Sequence, residues 1–118
     1  MKNVFRFAFF SLFFTLIMCL VLLPAAYAEI SDTWDNLNWT LSDEGKLTIY
    51  GEGRMKGFEN NSTKAWRAYL SEIKSLEIMP GVTSVGSRAF SKCTELEHVI
   101  IPESVTAFGS YAFLQCPN

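Results

Sequence analysis

Histidine occurs once in the 118 residues, and cysteine three times. A zinc site takes three or four nitrogen, sulfur or carboxylate ligands, and no compact His/Cys set exists. Basic residues are also scarce: ten Lys and Arg stand against twelve Asp and Glu, for a formal charge of −2. Nucleic-acid binding rests on neutralising phosphates with a basic surface, so it is excluded as a partner class. No EF-hand loop or calcium-binding nonapeptide accompanies the acidic residues Asp32, Asp35, Asp43 and Glu44, which read as a solvated face. Glu95 and Glu97 flank Leu96 with no sign of a cleft between them. After residue 28 there is no long apolar run. No cofactor motif is present, so no catalytic, cofactor-binding or metal-ligating residue is expected.

Apolar residues are unevenly spread. Residues 1–28 hold 22 of the 58, leaving 36 for the remaining 90 positions. Lys2 and Arg6 precede a run from Phe7 to Leu23, Pro24 ends it, and Ala26-Tyr27-Ala28 places small residues before Glu29. That order is a Sec-type signal segment cut between Ala28 and Glu29. The competing reading is an uncleaved anchor, the only route to a membrane here. The run lies at the short end for crossing a bilayer of about 30 Å. The expected destination is therefore secreted or cell-surface. The signal carries Cys19 away and leaves Cys93 and Cys116.

The main feature is internal repetition. Shifting residues 73–95 onto 96–118 gives eight identities: Ile78/Ile101, Val82/Val105, Thr83/Thr106, Gly86/Gly109, Ser87/Ser110, Ala89/Ala112, Phe90/Phe113 and Cys93/Cys116. A 23-residue period indicates stacked coils, each burying its apolar face on the next. Ile73-x-x-Leu76-x-Ile78 and Leu96-x-x-Val99-x-Ile101 have the spacing of short strands. Alternation turns Leu76, Ile78, Val99 and Ile101 inward, and Ser75, Glu77, His98 and Ile100 outward. Gly86 and Gly109 supply turns. Ser87 and Ser110 are candidate caps for single helical turns over 88–93 and 111–116. Phe90 and Phe113 would anchor those turns to the core.

These words resemble the BspA-type leucine-rich repeat: Val82-Thr83-Ser84-Val85-Gly86, Ala89-Phe90-Ser91-Lys92-Cys93-Thr94-Glu95-Leu96, Ile101-Pro102, and Ala112-Phe113-Leu114-Gln115-Cys116. The resemblance covers about residues 73–118. Phe108 stands where the pattern has an aliphatic residue, which would enlarge the core locally. The motif also expects an aliphatic residue three beyond Cys116. The array therefore reads either as part of a longer one or as a stub leaning on its N-terminal flank. The resemblance implies binding of protein partners, such as host matrix proteins or another cell surface, without catalysis.

Upstream, Trp39–Leu41 and Leu47–Tyr50 alternate around Ser42-Asp43-Glu44-Gly45, the pattern of a β-hairpin over 39–50. A short helix over 64–71 carries Trp66, Tyr69 and Leu70 on one side. The expected architecture is thus α+β with a short solenoid. A signal (1–28) and a flank or cap (29–72) precede units 73–95 and 96–118, the last incomplete at its C-terminal edge.

Four site readings stay open. Cys93 and Cys116 are buried structural thiols or a disulfide pair, and a third reading pairs Cys93 with His98 as nucleophile and base. Trp34, Trp39, Trp66 and Tyr69 either pack the flank or form a glycan-stacking platform. Asn38-Trp39-Thr40 and Asn61-Ser62-Thr63 match a glycosylation acceptor relevant only to a eukaryotic host. The remaining candidate is the outward face: Ser75, Glu77, His98 and Ile100, where Ile100 is apolar and set toward solvent. An alternative places the activity beyond residue 118.

Overall fold

The computed structural model describes residues 29–117. The signal segment, with its cut after Ala28, lies outside the described residues, as does Asn118.

Among the described residues, eight strands form two sheets. Strands β1 (Glu29–Trp34), β2 (Leu37–Ser42), β3 (Lys46–Gly51), β5 (Ser75–Ile78) and β7 (His98–Ile100) make a five-stranded sheet in the order β1-β2-β3-β5-β7. Strands β4 (Gly53–Arg54), β6 (Val82–Val85) and β8 (Ala107–Phe108) make a three-stranded sheet in the order β4-β6-β8. The first three strands of the larger sheet pair antiparallel, and β3, β5 and β7 pair parallel. Gly45 closes the β2–β3 turn at φ 88°, where its N–H donates to Ser42 O. Left-handed backbone at that position suits a residue without Cβ.

The 23-residue shift is the register of both sheets: Ser75 pairs with His98 and Leu76 with Val99, and Ser84 pairs with Ala107. A third ladder joins the same two coils: Arg88, Phe90 and Lys92 donate backbone N–H groups to Ser110, Ala112 and Leu114 carbonyls. Residues 88–93 are not a helical turn. Arg88, Lys92, Tyr111 and Gln115 all adopt positive φ near 60°, which breaks a right-handed helix. The chain instead makes successive tight turns, with Ala89 N–H donating to Gly86 O and Cys93 N–H to Phe90 O. Ser87 and Ser110 contribute carbonyls that accept from Phe58 and Arg88, rather than hydroxyl caps.

The flank stacks on these coils in the same manner. Lys46 pairs with Ser75 and Gly53 with Val82, in each case six positions more than the coil period. Ala65, Arg88 and Tyr111 share positive φ and are one coil period apart. The six extra residues therefore lie between Gly57 and Ala65. Gly86 sits against the coil before it: a Cβ there would stand 2.6 Å from Lys56 O and 2.8 Å from Gly57 Cα. A 3₁₀ helix, η1 (Ala65–Glu72), follows the insertion and is kinked at Tyr69.

The core lies between the two sheets and the turn ladder. Leu37, Trp39, Leu41, Leu47, Ile49, Leu76, Ile78, Val82, Val85 and Phe90 are buried. An aromatic column runs through it: Trp34 on Phe58 (4.4 Å), Phe58 against Trp66 (5.2 Å), Trp66 on Phe90 (5.7 Å) and Phe90 on Phe113 (5.3 Å). Val99 and Ile101 share the inward side, yet they are 41% and 36% exposed, because no described strand pairs beyond β7. Phe108 pairs with buried Val85 but is itself exposed, its ring 6.4 Å from Phe113, so it does not enlarge the core.

Candidate interaction face

Strand alternation divides the larger sheet into two surfaces. From β2 onward the inward rows are apolar: Leu41, Leu47, Leu76 and Val99 are successive partners, and so are Trp39, Ile49 and Ile78. The outward rows are polar. Ser31, Thr40, Thr48, Glu77 and Ile100 form one unbroken row across all five strands. Lys46, Ser75 and His98 form a second. Thr33, Asn38 and Tyr50 form a third over β1–β3.

The four outward residues read from the sequence are thus brought together: Ser75 beside His98, and Glu77 beside Ile100. Ser75 and Glu77 are half-buried, and His98 and Ile100 are exposed. Lys46 Nζ lies 2.9 Å from Glu77 Oε1, so the carboxylate at the centre of the face is already paired. An ion pair this open to solvent contributes little to stability, about 0–1 kcal/mol. Its consequence is to leave the middle of the face near neutral. Sequence reasoning missed Thr40, Thr48 and Tyr50, which belong to the same surface. Tyr50 is exposed. The alternation of the hairpin was visible, but its parallel pairing to β5 is a long-range contact.

The cysteines lie elsewhere. Cys93 is fully buried, and burial pushes its thiol up to about 12, with Cys116 adding to the rise and Arg67 opposing it. Burial also raises the Cys116 thiol, whose Sγ donates to Phe90 O at 3.0 Å. Both are free thiols, and neither faces His98, which stands exposed on the outward surface. A thiol held protonated in this way is a poor nucleophile. Because the folded pKa lies above the ordinary thiol value of 9.0, the stability linked to Cys93 is intact below about pH 9. It is lost as pH climbs toward about 12. In reductant, the urea midpoint is expected to fall over that window, and Cys93→Ala to flatten the fall.

Two flank tryptophans are closed to glycan stacking. Trp39 and Trp66 are 2% and 0% exposed. Trp66 Nε1 donates to Ala89 O at 2.7 Å, while Trp39 Nε1 is buried without a partner. Trp34 is half-buried on Phe58, with Lys56 Nζ 5.5 Å from its ring and its own Nε1 donating to Lys56 O. Trp39 and Trp66 fill the space between sheet, η1 and turn ladder, while Trp34 and Tyr69 are half-buried against them. Among the described residues no group of three His, Cys, Asp or Glu is placed to hold a metal ion. Likewise, no described helix is long and apolar enough to cross a membrane.

The stacked-coil geometry has counterparts among known proteins. The family model described as the BspA type leucine rich repeat region (6 copies) matches residues 60–118. A crystal structure of a leucine-rich repeat protein from Eubacterium ventriosum is similar at a TM-score of 0.71 and 28% identity. The similarity covers 75% of this chain and 24% of that one, so the chain spans about a quarter of that protein's length. No curated protein matches the chain.

Proposed function

The chain belongs to the BspA-type leucine-rich repeat family, and on that premise we propose that it is an exported protein-interaction module acting through the outward face of its five-stranded sheet. The observation that carries this is the register itself. It lines Ser75, Glu77, His98 and Ile100 up with Lys46, Thr48 and Thr40 on one open surface, while every core-forming side chain of those strands points the other way. We read these stacked coils as a short solenoid, and solenoids present extended faces for binding. Ile100 is 59% exposed and supplies apolar contact at the edge of a polar, nearly neutral surface. Short Ser and Thr side chains lose little rotamer entropy on docking, which suits a preorganised binding face.

The partner class is a protein of a host matrix or of another cell surface, and the role is adhesion rather than catalysis. The buried, protonated Cys93 and the isolated His98 support a non-enzymatic reading. The signal segment read over residues 1–28 supports export.

Surface plasmon resonance of the chain over immobilised fibronectin, collagen and laminin tests this. At least one matrix protein is expected to bind. The double variant Glu77→Arg/Ile100→Asp should weaken that binding at least about tenfold, the scale of one or two disrupted interface contacts. Its thermal melt should stay within about 1 kcal/mol of the parent, the most that the lost Lys46–Glu77 pair accounts for. Binding by the variant equal to the parent's would place the contact elsewhere. Silence across the whole panel would remove the matrix-adhesion reading.

A further inference from the structure

Cys93 and Cys116 hold the same position in successive coils, one repeat apart. We propose that they close a reversible disulfide that staples the last coil to the one before it. The turn ladder runs directly up to both residues: Phe90 N–H donates to Ala112 O at 2.8 Å and Lys92 N–H to Leu114 O at 2.7 Å. Parallel chains joined in this way run about 4.8 Å apart. That spacing lies inside the Cα separation a disulfide takes, about 4.4–6.8 Å. The Cys116 thiol reaches onto the turn that carries Cys93. Its Sγ donates at 3.0 Å to Phe90 O, the carbonyl that also accepts the Cys93 N–H at 3.3 Å.

The oxidant is a low-molecular-weight disulfide. Cys116, half-buried, loses its proton first, and its thiolate attacks one sulfur of the oxidant. One small thiol leaves and a mixed disulfide remains. Cys93 then loses its proton and attacks the Cys116 sulfur, expelling the second small thiol. Two protein thiols are oxidised, and one disulfide is reduced to two thiols. Cys93 is sealed, so the second step waits on local opening of the last coil. The closed form ties a coil whose Val99, Ile101, Phe108 and Leu114 are exposed to the buried core.

The test uses the folded chain, purified in reductant and then incubated with oxidised glutathione. Intact mass is expected to show loss of two hydrogens, and a digest to show a linked Cys93–Cys116 pair. The melting temperature should rise by on the order of 10 °C, as for a bridge closing a loop of this length, and dithiothreitol should reverse the shift. A lasting glutathione adduct on Cys116 beside a reduced Cys93 would overturn the proposal. So would a chain that stays fully reduced, or a linked chain that melts below the reduced one.

Discussion

Phe90→Ala is expected to lower the unfolding free energy by about 3–5 kcal/mol, the range for emptying a buried phenylalanine site. The ring is fully buried and lies in the middle of the aromatic column, 5.7 Å from Trp66 and 5.3 Å from Phe113. The position within that range depends on whether neighbours can collapse into the space. Here they are held. Trp66 is fixed by its bond to Ala89 O, and the backbone on the other side by Phe90 N–H to Ala112 O. The cavity should therefore stay open, placing the cost in the upper half. Phe113→Ala is the internal comparison. That ring is only half-buried, so its loss removes less packing and should cost clearly less. Urea unfolding of both variants decides the matter. Equal costs would mean that the column is not what holds the coils together, and a near-zero cost at Phe90 would remove it from the core.

The column also shows what could be read in the sequence. Phe90 and Phe113 repeat at the coil period, and a residue that repeats with the coil serves the coil. Ser75 and His98, or Glu77 and Ile100, could be set side by side because both units have the same length. The coil before them was hidden by its insertion. The step from Lys46 to Ser75 exceeds the coil period, and no constant shift aligns both the strand and the turn of that coil with the next one. Only Ala65, alike to Arg88 and Tyr111 in backbone conformation and not in side chain, betrays the period. The turns escape sequence reading for a related reason. Left-handed backbone is ordinarily announced by Gly or Asn, and here Arg88, Lys92, Tyr111 and Gln115 adopt it. Stacked backbone bonds from the neighbouring coil impose that conformation, and such bonds leave no local mark.

The hidden turns created a second feature that composition does not suggest, a buried arginine. Arg67 is 4% exposed. Its Nη1 donates to Arg88 O (2.6 Å), Ser91 O (3.2 Å) and Ser91 Oγ (3.0 Å), and its Nε donates to Ser62 O (3.0 Å). The left-handed turn aims two carbonyls at it. The guanidinium lies 5.7 Å from the Phe58 ring and pins the six-residue insertion, through Ser62, to the next coil. Burial pulls its pKa below the usual value, with Cys93 opposing and Arg88 adding to the fall. Against that desolvation stand four acceptors, of which Ser62 O and Ser91 O have no other donor among the described residues.

Arg67→Met keeps most of the volume and removes every donor. Arg88 O retains the Ser91 hydroxyl at 3.3 Å, so the groups left unpaired are Ser62 O and Ser91 O. At about 1–3 kcal/mol for each orphaned acceptor, less the relief of no longer burying a cation, a net loss of about 2–4 kcal/mol is expected. Arg67→Lys should fall between the two, because an ammonium cannot span the Ser62 and Ser91 sides with a planar fork. Hydrogen exchange separates a latch from mere packing. Amides of residues 59–64 should lose protection in the methionine variant well before the strands do. A methionine variant as stable as the parent, with that loop still protected, would mean that the buried charge is balanced by its own desolvation and that packing alone joins the insertion to the coils.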